Sequence, residues 1–562
     1  MTKLQMLPIP PLEQTINNYL IRIQPLLTDE EYSQQKIIAN NFLKETNLHK
    51  KLLDYATSTS DSWLKATWDE SYLTYRNQLN ANMNYAVTFS NPFKDANIPL
   101  LCSLLCESIL NLYNDICDNT LPQDYIKQTP LCMEQYKNMF GGCRLAILNK
   151  DELFIKDKFT ANHIVVMYNN NMYVLDIDLN DINTSYIAVS VQNILQEKEV
   201  AQHNVGIITT AKRDTAANLK SRLEQSNKKN FDILETSVFI LCLDEISGTR
   251  EEIAHHMVYG SSNNRYFDKT VQVIVNKDGT FSFNNEHTGS DGAAWMNVVT
   301  KIYNEIISKS DKAYDSSTKY SLPKKLTWDI SNEVADELII LEKEDKLRGE
   351  NFHISLLNFN NFGTKQIKEL GTSPDAFFHL SLQLAYYNIM GHLSSTYEAV
   401  SMRHYHQGRT ECMRPATSDV LKFVEAVKNN SSSEQLKKLA FNAMTTHSDM
   451  IKVCQKAQGP ERHLTGMQAM IKSEVIPAEQ DIFKSDGYKK LKYDVLSTSG
   501  LSFEPMEYFG FGPVVEDGYG IGYNLCNSNL KVCTTSFMSK ESTNNLNNEL
   551  YKAMEFLYHL LK

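Results

Sequence analysis

The sequence predicts an α/β protein made of two halves of similar size. Residues 13–60 carry apolar side chains at helical spacing, and short β-branched and aromatic runs follow at 163–177. The second half repeats this alternation, and a polar stretch at 310–330 separates the two. Because 562 residues exceed the roughly 100–200 of an ordinary domain, we expect domains at residues 1–330 and 331–562.

Turn residues and β-branched runs define the elements of the first half. Thr28 precedes three acidic residues, which predicts a helix start. Asp278 and Gly279 form a strong turn pair between two strand-like runs. The predicted elements are a helix at 98–118, a hairpin with strands at 163–168 and 172–177, strands at 204–209 and 237–243, and a hairpin with strands at 270–275 and 280–283.

Long helices dominate the second half, with strands before and after them. The predicted elements are a strand near 352–358, helices at 374–402, 417–428 and 433–457, strands near 493–499 and 519–535, and a C-terminal helix. The same mixture of strands and helices occurs in the first half, which supports two α/β units.

The charge and cysteine content argue against several functional classes. Lys and Arg number 56 against 67 Asp and Glu, which gives a formal net charge of −11, and no basic face stands out. Nucleic-acid binding is not expected, because it needs a basic surface. The ten cysteines lack the paired spacing of metal ligands, and Cys102 and Cys106 fit one face of a core helix. We expect reduced thiols and no bound metal.

The chain ends and the apolar segments bear on location. No segment approaches the roughly 20 apolar residues that span a bilayer. Residues 1–14 lack a signal-peptide apolar region and an Arg-rich presequence, and the final LYHLLK does not match a peroxisomal tripeptide. We expect a soluble intracellular protein without a transmembrane segment. Cytoplasm, mitochondrion and peroxisome all stay open.

The segment from Glu286 to Gly292, EHTGSDG, contains a candidate general base. It follows the second predicted hairpin, so His287 stands at a strand end, where a side chain can be held rigidly and still face a channel. Asp291 can fix the ring or the local turn, and Gly292 permits a tight bend. A histidine titrates near neutral pH, which suits general-base catalysis. A structural histidine is the alternative that these residues alone leave open.

Ordered motifs over almost the whole chain resemble the carnitine/choline acyltransferase family. Residues 264–270, the hairpin and the His-x-x-x-Asp-Gly pattern match that family's signature. Further matches, in chain order, are 7–12, 373–377, 383–387, 396–398, 408–411, 461–464, 497–499 and 512–520. The resemblance implies two α/β domains of the CoA-dependent, chloramphenicol acetyltransferase-like type. It also implies mixed sheets with flanking helices and an active site in a tunnel between the domains.

The resemblance implies transfer of an acyl group between a CoA thioester and a hydroxyl. His287 takes the position of the family's catalytic base, and Asp291 that of an acid in carnitine acetyltransferases. Ser499 matches the family's donor to the tetrahedral oxyanion. A polar strand edge is the alternative for the Ser-Thr-Ser triplet at 497–499 when it is considered alone.

The resemblance also implies a site for CoA as co-substrate, with no permanently bound cofactor. Lys368 matches a lysine at the CoA phosphate, and Asp375 matches a carboxylate that contacts CoA. The family's other lysine position holds Thr364 here, with Lys365 adjacent to it. Considered alone, the lysines also fit a solvated loop, and Ser-Pro-Asp fits a plain helix start.

The resemblance points to carnitine as the acyl acceptor. Arg462 takes a position held by arginine in carnitine enzymes and by a neutral residue in choline enzymes, and a guanidinium suits the carnitine carboxylate. Thr410 also matches the carnitine form, where choline enzymes have valine. Ala399 departs from the family, which usually has a serine there. The other implied substrate residues are Tyr72, Tyr397, Ser497 and Phe511, the last beside the trimethylammonium group.

Phe509 bears on the length of the acyl chain. It takes a position where carnitine acetyltransferases have methionine and longer-chain relatives have a small residue, so the resemblance implies an acetyl or other short acyl group. A generic core aromatic is the local alternative. Other functions left open are choline acetyltransferase, a medium- or long-chain carnitine acyltransferase, and an inactive relative with a binding role. We expect small-molecule partners, a monomer, and a place in fatty acid metabolism.

Overall fold

Two mixed β-sheets with flanking helices form the fold. The computed structural model describes residues 4–93, 97–156, 161–260, 263–317, 320, 322–471 and 476–562. The helices up to residue 350 are α1 (Leu12–Ile23), α2 (Asp29–Glu45), α3 (Leu48–Ser58), α4 (Lys65–Leu73), α5 (Ile98–Cys117), α6 (Thr184–Gln196), α7 (Arg213–Thr236), α8 (Arg250–Val258), α9 (Gly292–Ser308) and α10 (Asn332–Glu350). Those that follow are α11 (Thr364–Glu369), α12 (Pro374–Met390), α13 (Ser418–Lys428), α14 (Ser433–Gln455), α15 (Pro460–Ala469), α16 (Asp486–Lys492) and α17 (Lys540–Leu561).

The strands are short and spread over both halves. Those before residue 330 are β1 (Tyr85–Phe89), β2 (Tyr125–Ile126), β3 (Thr129–Pro130), β4 (Gly142–Leu145), β5 (Glu152–Ile155), β6 (His163–Tyr168), β7 (Asn171–Asp176), β8 (Ile240–Asp244), β9 (Val271–Asn276), β10 (Phe281–Asn285) and β11 (Lys324–Lys325). Those after it are β12 (His353–Phe359), β13 (Thr396–Ser401), β14 (Thr410–Met413), β15 (Leu496–Gly500), β16 (Met506–Phe511), β17 (Tyr519–Leu525) and β18 (Leu530–Ser536).

The first sheet has eight strands in the order β11-β7-β6-β8-β9-β10-β1-β16, and the second has six in the order β12-β18-β17-β15-β13-β14. Both mix parallel and antiparallel pairs. The parallel pairs are β6 with β8 and β8 with β9 in the first sheet, and β13 with β15 and β15 with β17 in the second. The predicted α/β class with mixed sheets is confirmed.

The two sheets meet at β16, which comes from the second half of the chain but pairs with β1 of the first sheet. Its backbone also lies against β17. A Cβ atom on Gly520 would lie 2.4 Å from the carbonyl oxygen of Phe511, and one on Gly522 would lie 1.8 Å from that of Phe509. Only glycine permits such an approach. These two glycines therefore allow the second sheet to close onto the edge of the first, two strands from β10.

Helices α5 and α9 cover one face of the first sheet, with Leu105, Ile109 and Trp295 in its core. Within the described ranges, α5 is a helix long and apolar enough to cross a membrane by length and composition, which the sequence pattern had not suggested. Of the 18-residue apolar stretch of α5, 67% is buried inside the protein. Cys102 and Cys106 lie on its buried side, where burial raises the pKa of both thiols. Helix α5 is therefore packed as a core helix.

Several local predictions are confirmed. The β6–β7 hairpin turns at Asn169 and Asn170, which both adopt positive φ, and the β9–β10 hairpin turns at Gly279 with φ of +82°. Thr28 begins α2 with a reciprocal capping box to Glu31. The helical stretch at 13–60 is confirmed in type, but it is divided into α1, a short 3-10 helix, α2 and α3.

Two local predictions are wrong, and one strand was missed. The apolar run at 204–209 is a buried 3-10 helix rather than a strand, and the hydroxyls of Thr209 and Thr210 donate to carbonyls three residues earlier. The helix predicted at 374–402 ends at Met390, because Gly391 adopts the left-handed conformation of a helix C-cap. Residues 396–401 then form β13, and β16 was not predicted as a strand at all.

The division of the chain at residue 330 stays a prediction. Val334, Leu338 and Leu341 of α10 pack in a cluster with strands of the first sheet. Helices α1 to α4 pack instead against α15 and α16. Part of the predicted linker, at 318, 319 and 321, lies outside the described residues.

Candidate active site

His287 lies two residues beyond the end of β10, as its position after the hairpin predicts. Its ring contacts Tyr85 edge-on, with 5.0 Å between ring centroids, and Tyr72 at 5.4 Å. The side chain is 31% exposed. Burial lowers the pKa of His287, with the nearby Arg409 acting in the same direction and Asp291 opposing. The imidazole is therefore neutral at pH 7 and able to accept a proton.

Arg409 fixes the loop that carries His287. Its guanidinium donates to both carboxylate oxygens of Asp291, at 2.8 and 3.0 Å. It also donates to the main-chain carbonyls of Thr288 at 2.9 Å and of His287 at 3.2 Å. Burial alone would raise the pKa of Asp291, but the guanidinium holds it below its usual range. The pair is therefore a buried, charge-assisted clamp.

Asp291 acts on the turn more than on the imidazole ring. Its Oδ1 lies 3.9 Å from Nδ1 of His287, which is longer than a hydrogen bond. Its other partner is Gln135, whose side chain donates to Oδ2 at 3.1 Å and accepts from the Asp291 amide at 2.8 Å. The sequence left two roles open for Asp291, to fix the imidazole ring or to fix the local turn. Its hydrogen bonds to Arg409 and Gln135 fix the turn.

A second buried network holds Glu286, the residue before the histidine. Arg144 donates to Glu286 at 3.3 Å and to Asp151 at 2.7 Å, and all three side chains are inaccessible to solvent. The hydroxyl and amide of Thr288 also donate to Glu286. The residues on both sides of His287 are therefore anchored, which limits the movement of its ring.

Two residues predicted to bind the acyl acceptor, Tyr397 and Thr410, converge on the guanidinium of a third, Arg462. Nη2 of Arg462 donates to the hydroxyl of Tyr397 at 3.1 Å and to that of Thr410 at 3.3 Å, while Nε donates to the Thr410 carbonyl at 2.8 Å. Arg462 comes from α15, Tyr397 from β13 and Thr410 from β14. This arrangement gives a planar cation flanked by two hydroxyls, which can bind a carboxylate.

The ring of Trp68 lies between the guanidinium of Arg462 and that of Arg409, which holds the His287 loop. Arg462 lies over it at 4.6 Å and Arg409 at 5.3 Å from the ring centroid. Tyr72 follows one turn later on α4 and contacts both Trp68 and His287. Tyr72 therefore lies between the guanidinium of Arg462 and the His287 loop.

Ser497 and Ser499 lie in the middle of the second sheet, on β15. They pair with Gly520 and Gly522 of β17, the two glycines that lie against β16. Directly paired residues project from the same face of a sheet, so both serines project toward β16. Ser497 is buried and Ser499 is half-buried.

Phe509 and Phe511 project from β16 beside the histidine's aromatic neighbour. The ring of Phe509 lies 5.7 Å from that of Tyr85 and 5.3 Å from that of Phe511. It also reaches Gly292 at the start of α9, where a Cβ would lie 3.9 Å from the ring. Phe509 is buried, whereas Phe511 is half-buried. A bulky ring therefore fills the space between Tyr85 and the start of α9.

A cavity of about 730 Å³ opens in the second half of the chain. Its lining includes Lys368, Asp375 and Gly500, the residue after Ser499, but not His287. Thr364 and Ala399, the two positions that depart from the family pattern, also line it. Lys365 is exposed on α11 and does not line it, whereas Lys368 and Asp375 are brought together at the cavity.

Asp375 belongs to a buried polar cluster with His379, Glu398 and His447. Tyr523 donates to Asp375 at 2.8 Å, and Nε2 of His447 lies 2.9 Å from Glu398. Burial and the adjacent Asp375 raise the pKa of Glu398 to about 8. Burial would also raise the pKa of Asp375, but the two histidines lower it. Asp375 is therefore the charged member of the pair at pH 7.

Sequence reasoning missed Arg409, Trp68 and Tyr85 as parts of the site. Arg409 stands in a motif that the resemblance includes, directly before Thr410, yet nothing local indicates its partner 118 residues earlier. Trp68 lies one turn before Tyr72 on α4. Residues four apart on a helix are neighbours, so the prediction for Tyr72 could have been extended to Trp68. No local pattern singles out Tyr85, because its place beside His287 depends on the pairing of β1 with β10.

Comparison with known proteins agrees with these motifs. The family model for choline/carnitine O-acyltransferases matches residues 7–555. Carnitine O-acetyltransferase of Rattus norvegicus is 29% identical over 96% of this chain and 90% of its own length. Choline O-acetyltransferase of Sus scrofa is also 29% identical, over 96% and 89%. The mitochondrial carnitine O-palmitoyltransferase 2 of Xenopus tropicalis is 28% identical, over 95% and 88%.

Among solved structures, the wax ester synthase/diacylglycerol acyltransferase of Marinobacter aquaeolei VT8 aligns with a TM-score of 0.38 and 8% identity, over 87% of this chain and 97% of that one.

The family match covers nearly the whole chain, and it confirms the resemblance that the ordered motifs indicate. The chain belongs to the choline/carnitine O-acyltransferase family and is an acyltransferase of that family.

Proposed function

We propose that the protein transfers an acetyl or other short acyl group reversibly between coenzyme A and the hydroxyl of carnitine. The observation that carries this proposal is the guanidinium of Arg462, held beside the hydroxyls of Tyr397 and Thr410 and joined through Trp68 to the His287 loop. A cation in that place suits an acceptor with a carboxylate, which carnitine has and choline lacks.

The reaction needs a base and an oxyanion donor. Neutral His287 takes the proton of the carnitine hydroxyl as its oxygen attacks the thioester carbonyl. The tetrahedral oxyanion accepts a hydrogen bond from Ser499, on the face of the second sheet that turns toward β16. When the C–S bond breaks, the imidazolium returns the proton to the CoA sulfur. Asp291 and Arg409 act as positioning residues for the His287 loop.

Coenzyme A occupies the 730 Å³ cavity in this proposal. Lys368 at its edge binds a phosphate, and Lys365, exposed on the same helix, supplies a second positive charge at the mouth. Asp375 contacts the polar chain of CoA. The cavity also includes Gly500, so a thioester lying in it reaches the Ser499 end of β15.

Carnitine binds between the two sheets, with its carboxylate at Arg462. Tyr72, Tyr397, Thr410 and Ser497 complete the polar side of the pocket, and Phe511 presents an aromatic face to the trimethylammonium group. Phe509 closes the acyl side, because its ring is packed between Tyr85 and Gly292. That closure favours acetyl over longer acyl groups.

The experiment that tests this function is a matrix of acyl-CoA donors and acceptors, followed by the release of CoA thiol. The donors are acetyl-, octanoyl- and palmitoyl-CoA, and the acceptors are carnitine and choline. We expect the highest kcat/KM for acetyl-CoA with carnitine. A faster reaction with choline than with carnitine would refute the proposal that Arg462 binds the carboxylate of the acceptor. Equal use of octanoyl-CoA and acetyl-CoA would refute the proposal that Phe509 limits the length of the acyl chain.

A further inference from the structure

Four potential metal-ligand side chains meet behind the large cavity. Asp375 and His379 lie four residues apart on α12, so they share one helix face. Glu398 comes from β13 and His447 from α14. Nε2 of His447 lies 2.9 Å and Nε2 of His379 lies 3.2 Å from Oε2 of Glu398. One ligand atom from each residue lies within 4.8 Å of all the others.

Histidine side chains, rather than lysine or arginine, face the two carboxyl groups of this cluster. In the part of the chain that the structure describes, no lysine or arginine nitrogen pairs with Asp375 or Glu398, and the ion-pair partners of Glu398 are the two histidines. Two carboxyl oxygens and two imidazole nitrogens therefore make up the donor set of this cluster.

We propose that Asp375, His379, Glu398 and His447 bind a divalent transition-metal ion, with Zn²⁺ the best fit. Bonds of about 2.0–2.2 Å in a tetrahedron put neighbouring ligand atoms about 3.3–3.6 Å apart. The pairs at 2.9 and 3.2 Å would move slightly apart, and any pair near the 4.8 Å limit would move closer, so the four side chains need only small adjustments. Two nitrogen and two oxygen donors suit Zn²⁺ and disfavour Mg²⁺ and Ca²⁺, which prefer oxygen ligands.

The surroundings of the cluster fit this assignment. The hydroxyl of Tyr523 donates to Oδ1 of Asp375 at 2.8 Å, which orients that carboxylate from outside the ligand set. His379, Glu398 and His447 are buried, while Asp375 is half-buried. Asp375 and Glu398 both line the large cavity, so an ion has a path into the site from that side.

The consequence concerns the cavity rather than the acid–base chemistry. A bound Zn²⁺ would neutralise Asp375 and hold it away from a ligand in the cavity. If coenzyme A occupies that cavity, as the proposed function states, Zn²⁺ then weakens its binding. The metal site itself does not depend on that function, because its residues and donors are independent of any substrate.

The test is a titration of the chelator-treated full-length protein with Zn²⁺ alone, without CoA or carnitine, by isothermal titration calorimetry. We expect one ion per chain in the wild type. His379→Gln retains a polar side chain of similar reach, and it should weaken binding at least about 10-fold, as should His447→Gln. His559→Gln, which changes a histidine on the exposed side of α17, is the matched control and should bind as the wild type does. Mg²⁺ should not compete.

A second measurement guards against variants that fail to fold. Co²⁺ in the wild-type site should give the visible absorption of a tetrahedral N₂O₂ complex, and His379→Gln should lose it while keeping the wild-type far-UV circular dichroism. Absence of Zn²⁺ binding by the wild type would overturn the proposal. Equal affinity in wild type, His379→Gln and His447→Gln would overturn it too, because the ion would then bind elsewhere. Neither result bears on acyl transfer.

Discussion

Arg409 holds Asp291 through two hydrogen bonds of 2.8 and 3.0 Å, and this pair ties the loop of the candidate base to the second sheet. Both side chains are buried. The same guanidinium also holds the carbonyls of His287 and Thr288. The loop that follows β10 is therefore positioned by a residue from the other half of the chain.

Replacing one member of this pair should destabilise the fold more than replacing both. Arg409→Gln leaves Asp291 buried without its cation, which typically costs about 3–5 kcal/mol in the free energy of unfolding. Adding Asp291→Asn should recover part of that loss. Urea unfolding of the two single variants and the double variant measures it. Additive losses would contradict a direct pairing.

The pH dependence of activity should follow the environment of His287. Because burial lowers its pKa below the usual value of about 6.5, the base stays neutral as the pH falls, and kcat/KM should decline only below that value. Asp291 raises this pKa and Arg409 lowers it. The midpoint should therefore move down in Asp291→Asn and up in Arg409→Gln. A pH–rate profile of each variant checks the signs; shifts in the same direction would refute this account.

Arg462→Ala should raise KM for carnitine and leave KM for acetyl-CoA nearly unchanged. Loss of a hydrogen bond to a charged group typically costs about 1.5–3 kcal/mol, which corresponds to roughly 10–150-fold in KM. Arg462→Lys keeps the positive charge but loses the planar, two-pronged guanidinium, so its KM for carnitine should lie between those of the wild type and Arg462→Ala. Initial rates over a range of each substrate separate the effects. Equal rises in both KM values would point to a general distortion of the site.

Phe509→Ala should open the acyl side of the pocket. Each methylene that becomes buried contributes about 0.8 kcal/mol, so space for two gives roughly 15-fold. We expect the ratio of kcat/KM for octanoyl-CoA over acetyl-CoA to rise at least about 10-fold. Phe509→Met retains the bulk and is the control. An unchanged ratio in a Phe509→Ala protein that melts as a folded protein would show that another residue limits chain length.

Local sequence patterns predicted the parts of the site that lie within one element. The Asp278-Gly279 turn predicts the hairpin, and the hairpin places His287 at a strand end. The role of Asp375 was implied by the family resemblance, whereas Ser-Pro-Asp locally indicates only the start of α12, on which His379 shares a face with Asp375. Residues two apart on a strand or four apart on a helix lie on the same face, so a local sequence pattern is enough to predict that they are neighbours.

Contacts between distant segments could not be predicted in that way. Asp291 and Arg409 are 118 residues apart, and β16 pairs with β1 across more than four hundred residues. Their meeting depends on how the two sheets dock, which no short pattern encodes. The 3-10 helix at Val205–Thr210 is a related case, because an apolar run is compatible with any buried backbone.

The central claim is that His287 is the base in a CoA-dependent acyl transfer. The most direct measurement is the rate of CoA thiol release from acetyl-CoA in the presence of carnitine, in wild type, His287→Ala and the control His559→Gln. General-base catalysis contributes about 100–10,000-fold, so His287→Ala should lose at least 100-fold in kcat while His559→Gln keeps the wild-type rate. A His287→Ala enzyme within tenfold of the wild type would contradict the account.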